Sequence, residues 1–245
     1  MVIQTPPPFY EDEGLIVALD GSQGSGKTTS LVGLGYEDYL VSGKRIITNN
    51  DLNPEFVPAY TKLTLEYLIS NMVASNELED VILIMDETQK YCDSSSRTRE
   101  SKDIMYLLEE ARKRRMSVYL SSQRLNKIDL RIRDMLDLRG VPTTVHEKPC
   151  KKCKGAGIVI PKKSEEAELC DRCLGYKKVS MTTIAFKRYS RKSPIMIGGN
   201  LVDFHGRTQF DITFRANDYF HLFDTKQRMP LQAKKMRNLD LAEMV

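Results

Sequence analysis

Long apolar runs are missing from this chain. Nowhere in its 245 residues is there a stretch near the ~20 apolar residues that a membrane-spanning helix needs. Val81-Ile82-Leu83-Ile84-Met85 is among the longest and is strand-sized. No signal peptide is expected, because Met1-Val2-Ile3-Gln4-Thr5-Pro6-Pro7-Pro8 has neither a basic start nor an apolar stretch. Charge of one sign is scarce: 37 Lys and Arg against 33 Asp and Glu leave a net charge of +4. That balance does not by itself argue for a nucleic-acid partner. Cysteine is scarce at five residues, four of them in two C-x-x-C pairs. Such pairing suits a metal in a reducing compartment better than disulfides. No internal repeat is present. These absences leave a soluble cytoplasmic protein as the expectation (host cytoplasm if the chain is viral). The length fits one large domain, or one domain with a small module.

What is there begins with Gly21-Ser22-Gln23-Gly24-Ser25-Gly26-Lys27-Thr28, the G-x-x-x-x-G-K-[ST] phosphate loop. Glycines let the backbone curl so that N–H groups point at phosphate oxygens. Lys27 places a point charge on the outer phosphates, and Thr28 offers a hydroxyl to Mg²⁺. Thr29 continues into a helix whose positive end faces the same anion. Leu15–Leu19 reads as the buried strand before the loop and Thr28 to Leu40 as the helix after it, the order the mechanism needs. Further strands are expected at 44–48, 81–85, 117–121, 137–145, 179–188 and 211–214, with helices at 63–73 and 103–114. Alternation of this kind predicts an α/β fold, a P-loop NTPase with a mainly parallel sheet and helices on both faces. Ligands then bind at the carboxyl ends of the strands.

The apolar run 81–85 ends in Asp86 and Glu87. Asp86 is expected to hold the Mg²⁺ shell opposite Thr28, and Glu87 to polarise an attacking water as general base. Strand 117–121 leads into Ser122, Gln123 and Arg124, where a neutral amide can sense the γ-phosphate or the lytic water. The basic run 112–115 before that strand has two readings: a helix end whose cations complement the dipole, or an arginine offered to a neighbouring subunit's γ-phosphate.

Together these residues resemble the FtsK–HerA superfamily of ring ATPases, in its zonular occludens toxin-like and viral genome-packaging branch. The resemblance runs from Leu15 to about Arg139. Residues 43–50, ending Thr48-Asn49-Asn50, resemble that branch's second strand, and Ile84-Met85-Asp86-Glu87-Thr88-Gln89 its Walker B segment. On the pattern of residues 111–123, Arg112 matches the family arginine and Gln123 its sensor glutamine, although Lys113 stands where the family has His. Leu222-Phe223-Asp224-Thr225 resembles a late Asp-Thr dipeptide. The resemblance implies ATP hydrolysis, a double-stranded DNA substrate and a homo-oligomeric ring, a hexamer or similar. The missing membrane span favours a packaging or translocation motor over an export component.

Cys150, Cys153, Cys170 and Cys173 have the spacing C-x₂-C-x₁₆-C-x₂-C, which can close a structural, tetrahedral Zn²⁺ site. Gly155 and Gly175 each follow a pair and permit the tight turn whose N–H groups bond sulfur. The run Cys150–Gly157 resembles the zinc repeats of DnaJ-type chaperones. His146 is expected at the surface, because four sulfurs already fill a site; Cys92 stands alone and is expected to pack. Residues 147–180 carry nine Lys or Arg against five Asp or Glu. Zn²⁺ with four thiolates contributes about −2, so the module is only mildly basic. It is read either as a phosphate-contacting finger or as a docking knob for a capsid, portal or neighbouring subunit.

The organisation expected is an N-terminal arm (1–13), an ATPase core (14–146), the zinc insert (147–180), completion of the core (181–225) and a basic tail (226–245). The function expected is an ATP-hydrolysing DNA translocation or packaging motor. The rival readings are a small-molecule P-loop kinase and a nucleotide-gated adaptor without turnover.

Overall fold

Two apolar runs, Leu15–Asp20 (β1) and Val81–Met85 (β4), fix the centre of the molecule, because a strand apolar on both faces must be covered on both. The structure, a computed structural model, describes residues 14–64, 78–92, 99–160, 167–188, 195–197, 200–202 and 209–223. Within them Lys27–Ser42 form α1, Arg45–Thr48 β2 and Thr61–Lys62 β3. Arg99–Glu110 form α2, Ser117–Ser122 β5 and Leu130–Asp134 α3. Then follow β6 (Leu138–Glu147), β7 (Ile158–Val159), β8 (Glu168–Leu169) and β9 (Val179–Arg188). Last come β10 (Ile195–Ile197), β11 (Asn200–Val202) and β12 (Gln209–Arg215).

An eight-stranded sheet in the order β12-β9-β6-β1-β5-β4-β2-β3 carries the fold. From β6 to β3 every pairing is parallel. β9 and β12 then extend the sheet antiparallel. Side chains alternate across it with the period of two that strands impose. Leu15, Val17, Leu19, Ile82, Ile84 and Tyr119 meet Leu31, Val32 and Leu34 of α1 on one face. Ile16, Ala18, Leu83, Met85, Val118 and Leu120 meet Ile104, Leu107 and Leu108 of α2 on the other. Each such fully buried Leu or Ile contributes about 1.5–3 kcal/mol. Gly35 lets α1 lie against β4, since a Cβ there would overlap Ile84.

The expected α/β architecture with a mainly parallel sheet and helices on both faces is present. Three details differ. α2 begins and ends four residues earlier than 103–114, and the chain turns through residues 111–115 before β5. Leu63 and Thr64 are not helical: Leu63 N–H bonds Thr48 O at 2.7 Å beside the sheet edge. The rest of the expected helix at 63–73 lies outside the described residues, as do the N-terminal arm, the basic tail, and Asp224 and Thr225. Asp137, expected within a strand, precedes β6 and is fully buried.

Registers place the site. β1 pairs with β5 from Leu15↔Ser117 to Asp20↔Ser122, so Gly21 and Gln123 leave the sheet side by side. β6 and β9 pair from Leu138↔Arg188 to Glu147↔Val179, so the intervening cysteine segment leaves and rejoins the sheet at one point.

Candidate active site

The phosphate loop turns through Gly24 (φ 81°) and Gly26 (φ 101°), left-handed conformations that glycine adopts without strain. Gly26 has a second constraint, because a Cβ would strike the Thr144 hydroxyl of β6. Thr144 Oγ1 donates to Ser25 O at 3.0 Å and pins the loop from the side. α1 starts at Lys27, so the loop amides and the positive helix end face one space. Lys27 is buried, and its ammonium bonds Gly21 O at 2.8 Å and Ser22 O at 2.9 Å. From that position it bears on whatever anion the loop holds. Thr29 is buried in the first helical turn, whereas Ser22, Gln23 and Gly24 are exposed at the loop tip.

Across the cleft, Thr28 Oγ1 donates to Asp86 Oδ2 at 2.7 Å. The hydroxyl and carboxylate expected to share Mg²⁺ are therefore in direct contact, although 58 residues separate them. Asp86 Oδ1 accepts the Ser121 hydroxyl and the Glu87 N–H, which fixes its rotamer. Oδ2 is thereby left facing the loop beside the Thr28 hydroxyl, a pair of oxygen donors that suits a hard cation. Glu87 sits at φ 52°, a left-handed position uncommon for a side chain of this size. Its amide is held by Ser121 Oγ at 3.0 Å. Its carboxylate accepts from Gln123 Nε2 at 3.2 Å and from Gln89 Nε2 at 2.5 Å. Lys27, Thr28, Asp86, Glu87 and Gln123 accordingly surround one cleft at the carboxyl ends of β1, β4 and β5.

Asn49, which sequence reasoning passed over as a site residue, organises the acid pair. Its side-chain amide donates to Asp86 O and accepts from Asp86 N–H, both at 2.8 Å. This side chain extends the β2–β4 ladder by one residue pair and aims the turn that carries both carboxylates. Only the strand order places the end of β2 beside the end of β4; the dipeptide Thr48-Asn49 was the visible signal.

Arg112 is elsewhere. Its guanidinium bonds Asp137 Oδ1 at 2.5 Å, while Asp137 Oδ2 accepts the Ile16 N–H at 2.9 Å. Both contacts lie at the amino ends of β1 and β6, opposite the phosphate loop. Asp137 is fully buried, and a buried carboxylate needs a partner. Arg112 supplies it and so anchors the amino ends of β1 and β6.

The four paired cysteines form a second cluster. Their sulfurs lie within 4.8 Å of one another and none is in a disulfide. All four residues are buried, and Cys153 Sγ lies 3.6 Å from Cys173 Sγ. Tetrahedral Zn²⁺ with bonds of ~2.3 Å requires sulfurs ~3.8 Å apart, which this placement fits. The two pairs turn alike: Lys154 and Gly155 (φ 51° and 88°) match Leu174 and Gly175 (φ 50° and 80°). Gly157 N–H donates to Cys153 Sγ at 3.2 Å. Burial opposes the Cys153 thiolate, but the Gly157 and Gly155 N–H groups outweigh it and lower the thiol to about 6; burial raises its neighbour Cys173 to about 12. β7 and β8 form the small hairpin above the cluster. His146 bonds Ser180 Oγ at 2.8 Å and is no part of it. Cys92 is buried in the core, and burial first of all holds its thiol up at about 12.

No helix among the described residues is long and apolar enough to cross a membrane. No curated protein matches the chain. Among solved structures, the N-terminal domain of zonular occludens toxin from Neisseria meningitidis is 14% identical at TM-score 0.47, over 86% of this chain and all of that one. The genome packaging NTPase B204 from Sulfolobus turreted icosahedral virus 2, in complex with AMPPCP, is 17% identical at TM-score 0.41, over 54% of this chain and 75% of that one. The family model described as zonular occludens toxin (Zot) matches residues 15–141. That match spans the phosphate loop, the acid pair and the strands that join them, more than half of the chain, which therefore belongs to the zonular occludens toxin (Zot) family.

Proposed function

We propose that this protein is a Mg²⁺-dependent ATPase that drives DNA translocation or packaging as a homo-oligomeric ring. The contact between Thr28 and Asp86, with Glu87 and Gln123 beside it, carries this reading. A phosphate loop facing two carboxylates is equipped to move a phosphoryl group to water. Lys27 and the loop amides offset charge that grows on the outer phosphates in the transition state. Thr28 and Asp86 would hold Mg²⁺, which would supply charge neutralisation to the phosphates. Glu87 accepts a proton from water, and Gln123 orients that water from the other side. The DNA substrate and the ring, hexameric or similar, come from the family resemblance. The cysteine insert would serve as a docking knob for a capsid, a portal or a neighbouring subunit. The insert's mildly basic balance equally suits contact with DNA.

ATP hydrolysis measured with and without duplex DNA, alongside the size of the particle with nucleotide, tests the proposal. Turnover without any acceptor, raised severalfold by duplex in a ring-sized particle, is the expected result. Turnover only with a small-molecule acceptor would make the protein a kinase. Tight nucleotide binding without turnover would make it an adaptor. Either outcome ends the motor reading.

A further inference from the structure

Next to the catalytic cleft, at the carboxyl ends of β1 and β5 and the amino-terminal end of β6, lies a cavity of about 790 Å³. Arg124, Arg133 and Arg139 line it together with Asp20, Asp134 and Gln123. That volume is in the range of ligand sites. Asp20 is already neutralised: it is ion-paired with Arg139 and accepts the Leu125 N–H at 3.2 Å. Arg124 and Arg133 have no carboxylate partner among the described residues, and Arg133 Nε is buried without a hydrogen-bond partner there. Two guanidinium groups therefore face the space against one exposed carboxylate, Asp134. A guanidinium fork matches phosphate oxygens in geometry as well as charge. The half-exposed Leu130 at the mouth (58% accessible) adds an apolar surface of the kind that sugars and bases cover.

One residue borders both spaces. Gln123 lines this cavity and donates to Glu87 Oε2 at 3.2 Å. An occupant that moved Gln123 would change the hydrogen bonding of the general base.

We infer that this cavity seats the phosphodiester backbone of the nucleic acid on which the motor acts, with Arg124 and Arg133 on its phosphates and Gln123 as the link to Glu87. The inference rests on the ATPase reading above and adds to it the place of contact and the means of coupling. Free phosphate and acidic protein segments share part of this chemistry. Two guanidinium groups with the exposed Leu130 beside them favour a nucleotide strand over a single anion.

Anisotropy of a short fluorescein-labelled duplex, titrated with the full-length protein over a salt series, tests this directly. Neutralising Z phosphates gives a slope of log K against log salt of about −0.9Z on duplex DNA. Against wild type, the double variant Arg124→Ala/Arg133→Gln should reduce the slope by about two. Its hydrolysis without DNA should match wild type, while stimulation by DNA should disappear. Arg124→Lys/Arg133→Lys keeps both charges and should keep the wild-type slope, which separates lost contacts from a misfolded chain. An unchanged slope and affinity in the Ala/Gln variant would overturn the inference and leave the ATPase reading standing. A wild-type protein that hydrolyses ATP but binds no duplex, or that binds a poly-glutamate peptide in its place, would overturn it too. Absence of hydrolysis in wild type would instead strike the ATPase reading itself.

Discussion

Lys27→Ala is expected to lower ATP turnover by about 10³-fold or more while leaving the fold intact. The magnitude follows from the place of the charge. Removing one preorganised donor from developing transition-state charge costs about 10²–10³ in rate, and Lys27 brings a full positive charge. The Lys27 residue is 5% accessible, so its charge is poorly screened by solvent. Lys27 also bonds Gly21 O and Ser22 O, so alanine relaxes the loop and should weaken nucleotide binding as well. The core should hold, because the aliphatic packing of α1 on β4 and β5 does not involve that ammonium. Steady-state hydrolysis, with thermal melting as the control for folding, checks it. Turnover near wild type in a folded variant would remove residues 21–28 from the chemistry.

The second large effect concerns the four cysteines. Purified protein is expected to contain about one zinc per chain. A structural zinc site contributes about 10–16 kcal/mol to its own folding, so a strong chelator, or Cys153→Ser, should unfold residues 147–180. The segment is not an isolated knob. Asn217, fully buried, donates to Cys173 O at 3.1 Å and Lys178 O at 3.0 Å and accepts the Ser180 N–H at 2.7 Å. Arg215 reaches Asp171 O at 3.1 Å. Tyr219, two residues beyond Asn217, lies against Gly33 and bonds Glu37 of α1 at 2.8 Å. Loss of the metal should therefore expose the insert to protease and lower the melting temperature of the whole domain somewhat, with the sheet still assembled. Elemental analysis and limited proteolysis with and without chelator read this. Zinc-free protein whose insert resists protease would contradict it.

Local signals in the sequence were easy to read, and pairings across the chain were not. The phosphate loop, the apolar run before Asp86 and the two cysteine pairs each lie within a few consecutive residues, and their chemistry fixes their spacing. β9 was legible to the residue, as Val179–Arg188, because β-branched and aromatic residues run through it with no Gly or Pro to break it. The antiparallel extension by β9 and β12 was not, since strand direction depends on how the chain returns past the cysteine insert. Asn49 acquires its role only when β2 and β4 are neighbours. Arg112 is the sharper case: its sequence context fits an arginine aimed at a neighbour's nucleotide, and nothing local points to Asp137, 25 residues on, as its partner. Asp137 itself looked like strand, because one acid before an apolar segment carries no sign that its carboxylate will cap the amino end of β1. Gln123 was singled out at the tip of β5. Its contact with Glu87 could be read only once β4 and β5 were adjacent.

The central claim is that the loop at residues 21–28 and the acids at 86 and 87 form one hydrolytic site. Glu87→Gln tests it most directly, because it removes the base and keeps the shape. Binding of ATP with Mg²⁺ and its hydrolysis should be measured on the same preparation. The variant should bind as wild type does and turn over about 10²–10⁴-fold more slowly, the range for loss of a positioned general base. A Glu87→Gln variant that hydrolyses ATP as fast as wild type would contradict the account.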